Sequence, residues 1–416
     1  MTETRINRTV LLTVLGLLIM SRALLLFTGY VGLNLFAKYT TIPTYEQNVP
    51  GSLSEWKLKL PGELDLTQKL QLQDFVKFDS YSYLKIATQG YDNVRIAEPH
   101  SAADWVFFPL YPLLIFLTGK LLLGLNAAWV GILLSHICLF FALLYVYLIC
   151  MQRGFSERQA YSVLFLILIY PASLYFSVPY TESLFLLLSA GSIYYACDKK
   201  YSLAFLAASL STVTRVPGFI NLFFVIGTVA LDENFRLSLR SLKWMLYSIF
   251  SLVPMGAYLY YMNILTGDFL APFHEQSLNW FRYTTAPFKN YIGYLKSPYF
   301  STPDGWDNGL IAFTVSTAVF LVYIGYLLRH IRTLFRDMRQ LLFFVYGALL
   351  IVIPFSSQPF FLVSVVRYMM VCIPFYIYLV ELTRKSETAL RAYQLLFAVI
   401  WVMITIGFFN DYYFVI

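Results

Sequence analysis

The stretch Lys77-Phe78-Asp79-Ser80-Tyr81-Ser82-Tyr83-Leu84-Lys85-Ile86-Ala87-Thr88-Gln89-Gly90-Tyr91 carries a single carboxylate among aromatic and apolar residues. An amphipathic helix of this kind lies along a membrane surface with its apolar side among the lipid headgroups, which puts Asp79 at the water–lipid boundary. A carboxylate there can take the proton of an attacking hydroxyl that comes within hydrogen-bond reach. By position alone, the commoner role of such a residue is a solvated surface acid. Arg215 and Arg367 fall beside breaks or ends of apolar runs. Ionisable groups inside a membrane are costly and usually face a site or a partner. The planar guanidinium fork fits phosphate oxygens two at a time. Both arginines are therefore candidates to hold a phosphate as it departs. Glu182, in Pro179-Tyr180-Thr181-Glu182-Ser183, starts an apolar helix, where the helix dipole alone welcomes a carboxylate. It could also pair with one of the arginines. Lys120 reads as a lysine snorkelling to the interface.

These residues need a frame, and composition supplies it. The chain has 416 residues, 59% hydrophobic and only 13% charged, against roughly 25% charged in a soluble domain. Uncharged apolar runs long enough for membrane helices recur along the whole length. The expected fold class is an all-α polytopic membrane protein, with residues 1–416 as a single membrane domain. The run 10–35 is too long for a signal-peptide core and reads as a retained first helix. Further spans are expected near 127–151, 160–177, 183–197, 203–216, 218–231, 244–265, 309–328, 341–355, 367–382 and 392–410, about eleven transmembrane helices in all. The run 107–125, with Pro109, Pro112 and Gly119, reads as a half-helix that dips in and returns. The pair 203–231, broken at Pro217-Gly218, reads as a hairpin whose tip, around Arg215, faces a cavity.

Two long polar loops, 36–104 and 266–308, fall on one side of this arrangement. The short loops on the other side hold 16 Lys/Arg against 8 Asp/Glu, counting the N-terminus. By the positive-inside rule that side is cytoplasmic, and the long loops are extracytoplasmic. The second long loop holds Gln276, Trp280, Arg282 and Trp306.

Several function classes drop out. A net charge of +7 would suggest nucleic acid in a soluble protein, but here the basic residues sit between apolar runs, and nucleic acid is not an expected partner. The four cysteines match no metal or redox spacing. The histidines, His100, His136, His274 and His330, are scattered, so no metal site is expected. There is no Gly-rich phosphate loop and no dinucleotide fingerprint. Any donor must therefore be taken from the lipid, and no cofactor is called for.

Phe78-Asp79, then Ile86-Ala87-Thr88-Gln89-Gly90-Tyr91, then Phe107-Phe108-Pro109-Leu110-Tyr111-Pro112 resembles the second mannosyltransferase of GPI-anchor assembly (the PIG-V family) and its prokaryotic relatives. That family reads Trp-Asp-x-x-His-Phe, Ile-Ala-x-x-Gly-Tyr and Phe-Phe-Pro in this order. Tyr170-Pro171-Ala172-Ser173-Leu174-Tyr175-Phe176-Ser177 with Tyr180-Thr181-Glu182-Ser183-Leu184-Phe185 resembles a later stretch of the same family. So do Thr214-Arg215-Val216-Pro217-Gly218, Arg367-Tyr368, and the pairing of Gln276 with Trp280. The likeness spans about 78 to 368. Phe78 stands for the family's Trp, Ser82 for its His, and Val216-Pro217 for its Ser-Asn, which points to a prokaryotic member with a different acceptor.

The resemblance implies a C-type glycosyltransferase fold with outer-face amphipathic and half-helices. It implies a polyprenyl-phosphate sugar as donor, a lipid or glycan acceptor, and a place in a prokaryotic plasma membrane with the site extracytoplasmic. In such an enzyme Asp79 is the base of an inverting transfer of a hexose such as mannose, and Arg215 and Arg367, with Arg282, hold the donor phosphate. Tyr81, Ser82, Tyr83, Tyr180, Glu182, Gln276 and Trp280 are the expected substrate-binding residues. The rival expectation is a transporter or flippase of a lipid-linked substrate, which would tolerate loss of Asp79.

Overall fold

A computed structural model describes residues 6–36, 66–119, 124–236, 238–280, 282–299, 308–356 and 361–412. The expectations for Lys120, for Trp306 and for most of the first half of the loop 36–104 lie outside the described residues. Among the described residues every regular element is a helix. The order begins with α1 (Arg8–Leu35), α2 (Asp79–Gln89), α3 (Leu110–Phe116), α4 (Ala127–Gln152) and α5 (Glu157–Leu168). It continues with α6 (Glu182–Cys197), α7 (Tyr201–Thr212), α8 (Gly218–Asp232), α9 (Leu239–Phe250), α10 (Val253–Thr266) and α11 (Ala271–Leu278). The last group is α12 (Lys289–Lys296), α13 (Gly309–Arg336), α14 (Met338–Val352), α15 (Val365–Met369), α16 (Ile373–Thr383) and α17 (Glu387–Phe409).

Six of these units are long and apolar enough to cross a bilayer: α1, α4, α9 with α10, α13, α14 with its closing turn, and α17. The protein is an integral membrane protein. The helices α6, α7, α8 and α16 are apolar but shorter, as is the segment Leu110–Gly119 that includes α3. In the bundle α6 packs against α4 and α7, α7 against α8, α8 against α14, and α1 against α17.

Three expected spans are broken, each at a proline. The span 160–177 stops as α5 at Leu168, because Pro171 lacks an N–H and restricts the residue before it. The span 244–265 is divided into α9 and α10 at Ser251 and Leu252, with Pro254 in the first turn of α10. The span 367–382 becomes α15, which carries Arg367, and α16, which starts at Ile373 ahead of Pro374. Proline at a first helical turn costs nothing, since its missing donor has no intrahelical acceptor.

The break after α5 builds the floor of the site. Residues 170–183, between α5 and the first turn of α6, are buried throughout, so the freed carbonyls need partners that lipid cannot give. Arg22 of α1 supplies them. Its guanidinium donates to Ser177 Oγ at 2.5 Å, to Ser173 O at 3.2 Å and to Leu168 O at 3.4 Å. The corner then delivers Tyr175, Tyr180 and Glu182 to one place.

The α7–α8 hairpin is set by a glycine. A Cβ on Gly218 would meet Ser211 O at 2.1 Å, so no other residue lets the two helices turn this closely. Arg215 lies in the turn between them.

Candidate functional site

Asp79 opens α2, where a carboxylate suits the helix dipole. The chain reaches it through Phe78, a non-glycine residue at φ 53°. Such a backbone costs about 1–3 kcal/mol and persists only where its surroundings over-determine it. Here they do. Lys77 Nζ donates to the carbonyls of Phe408 at 2.9 Å and Phe409 at 3.1 Å, at the end of α17. The Tyr180 hydroxyl accepts the Asp79 N–H at 3.1 Å and donates to Lys77 O at 3.3 Å. The approach to α15 is similar, with Ser364 at φ 58° and the Tyr170 hydroxyl bonded to Val366 O at 3.0 Å.

These two helices bring their charges together. Arg367 Nη1 donates to Asp79 Oδ2 at 2.7 Å, with the Arg367 side chain 4% exposed and that of Asp79 22%. Glu182, 1% exposed, is paired through Oε1 with Arg215, and the same oxygen lies 3.7 Å from Arg367 Nε. Arg282 donates to the Tyr368 hydroxyl. Among the described residues no carboxylate pairs with Arg282. The guanidinium carbons of Arg215, Arg367 and Arg282 lie 5.2, 5.4 and 5.9 Å from the centre of the Tyr368 ring, so three cations gather around one aromatic ring.

A cavity of about 600 Å³ lies against this cluster. Asp79, Tyr83, Glu182, Arg215, Gln276, Trp280, Arg282, Arg367 and Tyr368 all line it. Three expected substrate-binding residues are placed otherwise. Tyr81 and Ser82 do not border the cavity; Tyr81, two residues on from Asp79, points away from its helix face, whereas Tyr83 follows it by about one turn. Tyr81 is 63% exposed. Tyr180 lies beneath the site, clamping the backbone at Asp79. Tyr83 is buried edge-on against Phe107 and Tyr111, its hydroxyl 3.3 Å from Thr181 Oγ1.

The cavity's outer wall is held by a second polar cluster. Glu275 of α11 is fully buried and accepts from Ala103 N at 2.8 Å and Asn279 Nδ2 at 3.0 Å. Its other oxygen lies 3.0 Å from His100 Nε2. Trp280 Nε1 donates to Ala103 O at 2.9 Å. The Glu98 carbonyl and then the Glu275 carboxylate favour the charged imidazolium, which holds His100 above its ordinary pKa against burial. On the far side of the loop, Lys85 of α2 is paired with Asp92 and, at 3.1 Å, with Asp104. Asp92 and Asp104 exchange backbone N–H bonds at 2.9 and 3.1 Å. These two networks tie α2, the loop and α11 together, so that Asp79 and Arg282 face the same space. Among the described residues no group of three or more His, Cys, Asp or Glu could hold a metal ion.

Sequence reasoning missed Tyr368 as a site residue, and with it Tyr175, whose ring lies 5.4 Å from the Arg367 guanidinium. Position beside Arg367 was the available signal for Tyr368. For Tyr175, one of 33 tyrosines, the signal was its place in the family-like stretch 170–177.

The family profile described as Mannosyltransferase (PIG-V) matches residues 13–271. No curated protein and no solved structure matches the chain. The matched segment carries Asp79, Glu182 and Arg215, while Arg282 and Arg367 come from beyond it to complete the cavity. Because the match takes in more than half of the chain, the protein belongs to the mannosyltransferase (PIG-V) family of membrane glycosyltransferases.

Proposed function

We propose that the protein transfers mannose from a polyprenyl-phosphate carrier to a hydroxyl acceptor at the extracytoplasmic face of a prokaryotic plasma membrane, within a C-type glycosyltransferase fold of about eleven crossings. The acceptor oxygen attacks the anomeric carbon from the side opposite the phosphate, and the configuration inverts. The bond from that carbon to the phosphate oxygen breaks, and its electron pair stays on the departing polyprenyl phosphate. The acceptor's proton passes to Asp79. Arg282, Arg215 and Arg367 stabilise the phosphate charge in a site largely shielded from water, where fixed donors act most strongly. Gln276 offers an amide to sugar hydroxyls, and the Trp280 ring offers a face for the sugar.

The observation that carries this reading is the charge of the cavity. Three guanidinium groups against the carboxylates of Asp79 and Glu182 leave one positive charge. A sugar attached to a lipid through one phosphate is a phosphodiester bearing one negative charge, and it neutralises the site. A nucleotide sugar or a lipid pyrophosphate would leave excess negative charge in a buried place. Incubating reconstituted protein with radiolabelled polyprenyl-phosphate mannose and a membrane lipid extract is the direct test. Label should move to a new acceptor. Label that stays on the carrier under all conditions, or moves only from a nucleotide sugar, contradicts the proposal.

A further inference from the structure

Asp79 is not a free base in this arrangement. The buried guanidinium of Arg367 occupies its Oδ2 at 2.7 Å, while an acceptor hydroxyl has to come within hydrogen-bond reach of the carboxylate to hand over its proton. The same arginine has an unused donor: Arg367 Nε is buried and without a hydrogen-bond partner. It lies 3.7 Å from Glu182 Oε1, and Glu182 Oε2 is itself a buried acceptor without a partner. An unmade buried hydrogen bond costs about 1–3 kcal/mol and calls for an explanation, a catalytic role among them. An unpaired donor and an unpaired acceptor thus sit on two side chains that approach to 3.7 Å and both line the cavity.

We propose that Arg367 has two seats, Asp79 and Glu182, and that a lipid phosphate entering the cavity draws it from the first to the second. This inference rests on the reading of Asp79 as the base. In the empty cavity Arg367 covers Asp79. With the phosphate present, Arg367 is shared between Glu182 and a phosphate oxygen, and its charge keeps an anionic partner throughout, as a buried charge must. Asp79 is then released to the acceptor. Arg215 keeps Glu182 in place during the exchange, which makes Glu182 a positioning residue that acts through Arg367. The donor therefore has to bind before the acceptor can be deprotonated.

Carbodiimide labelling tests this without turnover, because a carboxylate released from its arginine reacts faster and Asp79 is partly exposed. Reconstituted full-length protein is treated with a water-soluble carbodiimide and an amine, alone, with undecaprenyl phosphate, or with undecaprenol. Label at Asp79 is read by peptide mass spectrometry, and phosphate binding by thermal shift in the same samples. Labelling should rise several-fold with undecaprenyl phosphate and stay at the basal level with undecaprenol. The Glu182→Gln protein should bind the phosphate and show a smaller rise. If the phosphate binds and labelling of wild type is unchanged or falls, the two-seat exchange is wrong while the transfer reaction stands. If undecaprenyl phosphate does not bind at all, the donor assignment fails, and this inference fails with it.

Discussion

Arg367 and Asp79, 288 residues apart in sequence, are joined at 2.7 Å by a guanidinium–carboxylate hydrogen bond. Each arrives on a helix that begins after a non-glycine residue with positive φ, Ser364 and Phe78. Each approach is also tied down by a tyrosine hydroxyl, Tyr170 for α15 and Tyr180 for α2. The pair is thus positioned by the buried corner after α5 as much as by its own helices.

Removing the Tyr180 hydroxyl tests that dependence. Tyr180→Phe should leave the Asp79 N–H without its partner, at a cost of about 1 kcal/mol, and slow transfer several-fold. Initial rates should show the loss mainly in kcat, because the hydroxyl does not line the cavity.

Arg282 is the guanidinium without a carboxylate, so its loss should be felt chiefly by the donor. Arg282→Ala should raise the donor KM about tenfold, the loss expected for one hydrogen bond to a charged group. Arg282→Lys should recover part of the loss, since a lysine keeps the charge but not the fork. Initial rates at varied polyprenyl-phosphate sugar provide the check.

The hairpin that presents Arg215 depends on a missing side chain. Gly218→Ala forces a methyl to within 2.1 Å of Ser211 O. The predicted destabilisation is on the order of 3 kcal/mol, seen as a lower melting temperature in detergent. An unchanged melting temperature would show that the turn can open at no cost.

The clamp on the outer wall has a pH signature. His100 titrates above its ordinary value when folded. Its contribution to stability is therefore fully present below the unfolded pKa, about 6.5, and is lost as pH rises through the higher folded value. The stability gap between wild type and His100→Asn should be widest in mildly acidic buffer and should narrow as the pH rises through that value. Melting curves across pH read it out.

Much of this site was legible because charge is scarce in a membrane protein. Asp79, Glu182, Arg215 and Arg367 stood out among apolar runs, since a membrane tolerates such residues only with a partner or a task. The hairpin at Pro217-Gly218 was legible for the same reason that it exists, the lack of a side chain at Gly218. Other features left no such mark. Tyr368 is uncharged, and its importance lies in the three arginines that converge on it from distant segments. The break after Leu168 falls inside a run whose hydrophobicity continues, so hydropathy carried that span straight past Pro171; the run 244–265 stays one crossing unit, with α9 and α10 meeting just ahead of Pro254. Tyr81 and Tyr83 looked alike as aromatic neighbours of Asp79, and only the helical turn separates the one that borders the cavity from the one that does not.

The central claim is that Asp79 takes the acceptor's proton at a cavity whose arginines receive the lipid phosphate. Comparing wild type with Asp79→Asn in the polyprenyl-phosphate transfer assay, at matched melting temperature, tests it most directly. General-base removal should lower kcat by roughly a hundredfold or more while undecaprenyl phosphate still binds. An Asp79→Asn protein that transfers sugar at the wild-type rate would contradict the account.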